Sequence, residues 1–87
     1  MQLILDGEKL RYRSRVHRVL AQELAFPTWY GRNLDALYDC LTDIHEDTEI
    51  VLINWSATNL QPMRQVMEDA AADNPHLTVR SEGPAST

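Results

Sequence analysis

The feature that most narrows the fold is the spacing of three short apolar runs. QLILD near the start, EIVLINW from Glu49 and HLTVR from His76 are rich in aliphatic and β-branched residues and too short for buried helices, so each reads as a strand. Neither gap between them is a hairpin loop. The first holds two helical patterns and the second holds one, and connections of that kind join parallel strands. The order β-α-α-β-α-β predicts a minimal α/β domain: a three-stranded parallel sheet with helices packed on it.

Local signals place the elements. Asp6-Gly7 closes the first strand with a turn. Ser14 is a plausible N-cap for a helix running through Ala25, with Val16, Val19, Leu20 and Leu24 inward, and Phe26-Pro27 stops it. Asn33 caps a second helix from Leu34 to about Asp43 or Ile44. A third runs from about Leu60 to Asp73 with Val66 and Met67 inward; Pro62 is tolerable there because the first turn has no intrahelical N–H bond to lose. Asn74-Pro75 ends it. His17 and His76 read as surface or edge residues. The domain is expected to span residues 1–80, with SEGPAST, residues 81–87, as a flexible tail. A chain of 87 residues buries one modest core and no deep cleft between lobes, so its function is expected on its surface.

Composition then excludes some roles. No apolar run approaches the roughly 20 residues that span a membrane. The segment MQLILDGEKL lacks the pattern of a secretory leader, and the lone Cys40 cannot form an internal disulfide. A reducing, cytoplasmic setting is the expectation. Charge is unevenly spread: residues 1–32 hold six cations against three acids, net +3, whereas residues 33–87 hold two cations against ten acids, net −8. An acidic half repels nucleic acid and attracts basic macromolecules, so the expected partner is a basic protein. The basic segment from Lys9 to Arg18 reads as a solvated turn and helix face.

The acidic half contains GRNLDALYDCLTD. At 100° per residue from Leu34, Leu37, Leu41 and Ile44 fall at about 300°, 340° and 280°, with Cys40 beside them at about 240°. That arc is the core face, and Cys40 is a small buried hydrophobe there rather than a nucleophile. Asp35, Asp39 and Asp43 fall at about 100°, 140° and 180°, flanked by Tyr38 and Thr42. This row works against its own helix. Like charges at i,i+4 cost roughly 0.2–0.5 kcal/mol per pair, and carboxylates near a helix C-terminus oppose the macrodipole. An arrangement that costs stability locally is expected at a functional site. The preceding Trp29-Tyr30-Gly31 sets two aromatics and a flexible residue beside the carboxylates, the residue types that dominate protein interfaces, although either ring can instead fold back on the core.

LAFPTWYGRNLDALYDCLTD resembles the signature region of the barstar family of microbial ribonuclease inhibitors. The similarity begins in LILDGEKLR and resumes in QVMEDAAA and LTV, covering most of the chain. It implies the same element order, and a mechanism in which the acidic helix and preceding loop plug a ribonuclease's basic active site, carboxylates standing where RNA phosphates would lie. On matching positions Asp39 would be the central carboxylate and Asp35 its assistant. Trp29, Gly31, Asn33, Tyr38 and Thr42 would shape the contact, and Asp69 would add a charge from the last helix. Asp73 is expected outside that face. The chain departs from the family pattern at Trp29 and Tyr38, which alter the size of two aromatic contacts, and at Arg32, where a neutral or acidic residue would suit a basic partner better. The segment after EIVLINW looks short enough to lack an additional helix.

Paired carboxylates can also serve as acid and base in glycoside hydrolysis, but two Asp on an exposed helix lack the cleft that would raise one pKa. Asp39, Asp43, His45 and Asp47 match no recognised metal-loop spacing. The expectation is a non-enzymatic protein without cofactor or metal that binds a small basic ribonuclease one to one, with no direct nucleic-acid or membrane partner. Its partner-binding residues are Trp29, Tyr30, Gly31, Asn33, Asp35, Tyr38, Asp39, Thr42, Asp43 and Asp69. The alternative is an immunity or binding module of the same fold that neutralises a toxin other than a barnase-like ribonuclease.

Overall fold

A computed structural model describes residues 1–82. Three strands, β1 (Gln2–Asp6), β2 (Thr48–Ile53) and β3 (Leu77–Glu82), form one parallel sheet in the order β1-β2-β3. The connections hold α1 (Gly7–Leu10), α2 (Arg13–Glu23) and α3 (Leu34–Thr42), then α4 (Gln61–Asp73) after a single 3-10 turn at Thr58–Leu60. The three-stranded parallel sheet expected from the apolar spacing is thus present, with two short helical turns more than the sequence suggested, α1 and the 3-10 turn, the second in the segment expected to lack an additional helix. Both connections step across the sheet in the same direction, so right-handed crossovers place all the long helices on one face.

Burial along the strands agrees with that one-sided layering. Leu3 and Leu5 of β1 lie in register with Ile50 and Leu52 of β2, and all four are buried with Leu77 of β3 beneath Val16, Leu20, Leu37, Leu41, Met63 and Met67 of the helices. The opposite sheet face carries Ile4, 56% exposed, and is closed by polar pairs instead of a second layer. There Arg80 donates to Glu49 at 2.9 Å and also pairs with Glu82. Ser81 and Glu82 belong to β3, so the strand outlasts the boundary expected at residue 80; the rest of the expected tail, residues 83–87, lies outside the described residues.

The corner after β1 is tighter than a simple turn. Asp6 accepts from the backbone N–H groups of Glu8 and Lys9 at 2.9 and 3.4 Å, capping α1, and from Asn54 Nδ2 at 3.2 Å. A Cβ on Gly7 would lie 2.6 Å from the Asn54 carbonyl oxygen, so only glycine lets this corner approach the end of β2.

Helix α2 differs at both ends from its expected bounds. It starts at Arg13 because the Tyr12 carbonyl accepts from Arg15 and Val16, leaving Ser14 inside the first turn. It ends earlier because Ala25 turns left-handed, φ 54°, and the Phe26 N–H reaches back to the Ala21 carbonyl at 2.9 Å. This is a Schellman closure with alanine where glycine is usual, at a conformational cost of roughly 1–2 kcal/mol. It turns the chain sharply toward the Pro27–Asn33 loop.

Candidate functional site

That loop and α3 build the site. Asn33 caps α3, its Oδ1 accepting from the Ala36 N–H at 2.8 Å. This fixes the helix phase: Leu37 and Leu41 are fully buried, and Asp35, Asp39 and Asp43 face solvent. Asp35 lies in the first turn, where the macrodipole favours a carboxylate, and no basic residue occupies the last turn. The opposite end is held from α4's terminus. Buried Asn74 donates from Nδ2 to the carbonyls of Leu41 and Ile44 at 2.9 and 3.0 Å and accepts from the His76 N–H at 2.9 Å. Carbonyls that the end of a helix leaves unpaired are thereby satisfied.

The aromatic pair in the loop divides its labour. Trp29 is 79% exposed beside an open groove whose walls include Phe26, Pro27, Ala36, Cys40 and Asp39. Tyr30, expected as a contact residue, is the ring that folds back on the core: it is 8% exposed, packed edge-on to Phe26 at 4.9 Å, with its hydroxyl 2.5 Å from His17 Nδ1. His17, expected at the surface, is corrected, being 5% exposed within α2. Burial holds the His17 imidazole below its ordinary pKa, helped by the fields of Arg13 and Arg32, and pushes the Tyr30 phenol up to about 12. A neutral histidine and a protonated phenol share this bond, anchoring the loop to α2. Gly31 has no positive φ; the left-handed residue of the loop is Arg32, φ 54°.

Carboxylates from two helices meet around Tyr38. Its phenol donates to Asp73 of α4, which brings that carboxylate, expected outside the face, next to Tyr38. That hydrogen bond is the main cause holding the Tyr38 phenol above its ordinary pKa, followed by desolvation and the charges of Asp73, Asp69 and Asp39. Asp39 and Asp69, assigned from separate segments of the sequence, therefore act on one side chain. Asp69 also accepts from Gln65 Nε2 at 3.0 Å. Thr42 is half-buried and donates its hydroxyl within its own helix, to the Tyr38 and Asp39 carbonyls at 3.0 and 3.1 Å. Among the described residues Asp35, Asp39, Asp69 and Asp73 form no ion pair, and Asp43 approaches only the exposed His45, at 4.0 Å. Burial, together with Asp39 and Asp43, raises the Cys40 thiol's pKa, which disfavours the reactive thiolate. Among the described residues no group of three His, Cys, Asp or Glu is placed to hold a metal ion, and no helix is long and apolar enough to cross a membrane.

Sequence reasoning missed three residues that position this site: His17, Asn74 and Asp73. For His17 a signal was present, since from Val16 at zero it lies at about 100° and Leu20 at about 40°, on the edge of the buried stripe. For Asp73 and Asn74 there was none, because their partners lie 30 or more positions away.

Comparison with known proteins agrees with this architecture. A protein of Bacillus subtilis (strain 168) named "Putative ribonuclease inhibitor YrdF" is 41% identical over 59 residues, covering 67% of this chain and 65% of that relative, just under two thirds of its length. The family model described as barstar, the barnase inhibitor, matches residues 1–78, and the chain belongs to the barstar family.

Proposed function

We propose that this chain is a non-enzymatic, cytoplasmic inhibitor of a small basic microbial ribonuclease, binding it one to one. The exposed face of α3 and Asp69 of α4 enter the enzyme's active site, Asp39 at the centre and Asp35, Asp43 and Asp73 around it. The observation that carries this reading is the cluster of carboxylates from two helices around Tyr38, without a cation paired to Asp35, Asp39, Asp69 or Asp73 among the described residues. Such groups are charged acceptors without an internal cation, and Asp35 and Asp39 also accept no side-chain hydrogen bond among the described residues, whereas Asp69 and Asp73 accept only from the neutral Gln65 and Tyr38. A site evolved for phosphate oxygens supplies those donors from arginine and histidine, and the resulting bonds are charge-assisted. Trp29 adds exposed aromatic area beside the row, and Gly31, Asn33, Tyr38 and Thr42 shape its edge. No chemistry by the inhibitor is required, since occupancy alone excludes RNA.

Arg32 favours a second reading, in which the same face neutralises a toxin that is not a barnase-like ribonuclease. Titration against a small basic ribonuclease, following cleavage of a fluorogenic RNA with Asp39→Ala in parallel, separates the two. Stoichiometric inhibition that the variant loses supports the first reading. Absence of inhibition across several such enzymes removes it.

A further inference from the structure

Arg32 breaks two local rules at once. It occupies a left-handed backbone conformation, φ 54°, that costs an arginine roughly 1–2 kcal/mol and a glycine almost nothing. It also places a cation immediately before the N-cap of α3, where the helix dipole favours negative charge. Among the described residues nothing offsets either cost: Arg32 is exposed and its side chain forms no hydrogen bond or ion pair there. Its backbone is nonetheless pinned on both sides. Tyr30 is buried against His17, with its N–H bonded to the Pro27 carbonyl at 2.9 Å, and Asn33 is committed to the cap. The base of the Arg32 side chain is therefore set in place at the N-terminal end of α3, the helix that carries Asp35, Asp39 and Asp43. Across a shallow groove with Pro27 and Thr28 on its walls stands Arg18, exposed and also without an ion pair among the described residues.

We infer that Arg32, supported by Arg18, is a specificity-determining residue that selects a ribonuclease carrying a carboxylate on the rim of its basic active site and disfavours one whose rim is cationic there. The inference rests on the reading of the acidic face as the inhibitory surface. A uniformly acidic face would suit every basic active site about equally. One fixed cation at the N-terminal end of the helix that carries that face lowers affinity wherever it meets a like charge and raises it where a carboxylate waits, and that difference is what discriminates between partners. Arginine suits the role because its planar fork holds a carboxylate in two parallel hydrogen bonds.

The test uses barnase, the enzyme in the family's description, and barnase variants in which one exposed Lys or Arg at a time around the active site is replaced by Glu. Binding of the full chain, of Arg32→Gln and of Arg32→Glu is measured at low and high salt, with Asp39→Ala in parallel and thermal melts to establish that each variant is folded. Gln keeps the side chain's length without its charge. Against unmodified barnase, Arg32→Gln is expected to tighten binding by about two- to fivefold, the range of an exposed charge contact, and Arg32→Glu further. Against at least one Glu-bearing enzyme the order reverses, and high salt shrinks both effects. An Arg32→Gln effect of the same sign and size for every enzyme overturns the inference, and Asp39→Ala losing affinity in that case leaves the acidic-face reading standing. A full chain and Arg32 variants that bind none of the enzymes overturn both.

Discussion

The phenol of Tyr38 on α3 donates its hydrogen bond to the carboxylate of Asp73 on α4, joining the two helices that carry the acidic face. The bond keeps the phenol protonated above its usual range and leaves Asp73 one oxygen for a partner. Removing the acceptor removes the largest cause of that shift. In Asp73→Ala the ring resonances of Tyr38, followed by NMR between pH 8 and 12, should titrate closer to the ordinary tyrosine value of about 10. An unchanged titration would mean that the bond does not persist in solution.

Asp39 and Glu68 are both exposed acids on site helices, but Glu68 already pairs with Arg64 at 3.1 Å and Asp39 is without an ion pair among the described residues. Under the proposed function Asp39→Ala should weaken ribonuclease binding by on the order of 2–5 kcal/mol, the cost of stranding a desolvated partner charge, a range that the barstar family's own prototype helped to define. Glu68→Ala should change it by less than about 0.5 kcal/mol. Isothermal calorimetry on the two variants decides the matter, and comparable losses would remove Asp39 from the centre of the site. Asp73→Ala is expected between them.

How much of this was legible beforehand depends on the range of the interaction. The strands follow from short apolar runs, their parallel pairing from the helical patterns between those runs, and α3 from Asn33 and a helical period, and none of these signals needs a particular pair of distant side chains to meet. The helix that carries the site was readable for that reason. Closing α2 at Ala25 was not, because the left-handed turn falls on a residue with no propensity for it. Tyr30 looked like its exposed neighbour Trp29, and only the His17 side chain, 13 positions away, draws it inward. Tyr38 and Asp73 are 35 positions apart, and the packing of α3 on α4 brings them together.

Burial of His17 and Tyr30 against each other makes stability depend on pH at both ends of the scale. His17 has a folded pKa below its ordinary 6.5, so between the folded value and 6.5 the unfolded chain binds more protons. Its contribution is complete above about pH 6.5 and is lost as pH falls toward the folded value. Tyr30 is raised to about 12, so the folded chain keeps a proton that the unfolded chain releases above about pH 10. That contribution is lost as pH rises from about 10 to 12. Urea midpoints across pH should decline on both flanks, the acid decline being reduced in His17→Gln. A His17→Gln profile parallel to that of the parent between pH 5 and 7 would show that His17 does not drive the acid flank.

Asn74 offers a test of whether α3 is positioned from outside itself. Its side chain spans from the end of α4 to two carbonyls at the end of α3 and is only 3% exposed, so truncation leaves the Leu41 and Ile44 carbonyls without these donors. The Leu41 carbonyl keeps the Ile44 N–H at 3.4 Å, but the part-buried Ile44 carbonyl is left unpaired, which costs roughly 1–3 kcal/mol, so Asn74→Ala should lower unfolding stability by about that amount. The first turn of α3 keeps its own Asn33 cap, and the loss should therefore fall unevenly along the helix. Amide exchange should accelerate at Cys40 to Ile44 more than at Leu37, and ribonuclease binding should weaken through a faster dissociation rate, because Asp39 and Asp43 lie toward the loosened end. Uniform exchange along α3 would place the control of its geometry in the helix's own sequence instead of in the contact with Asn74.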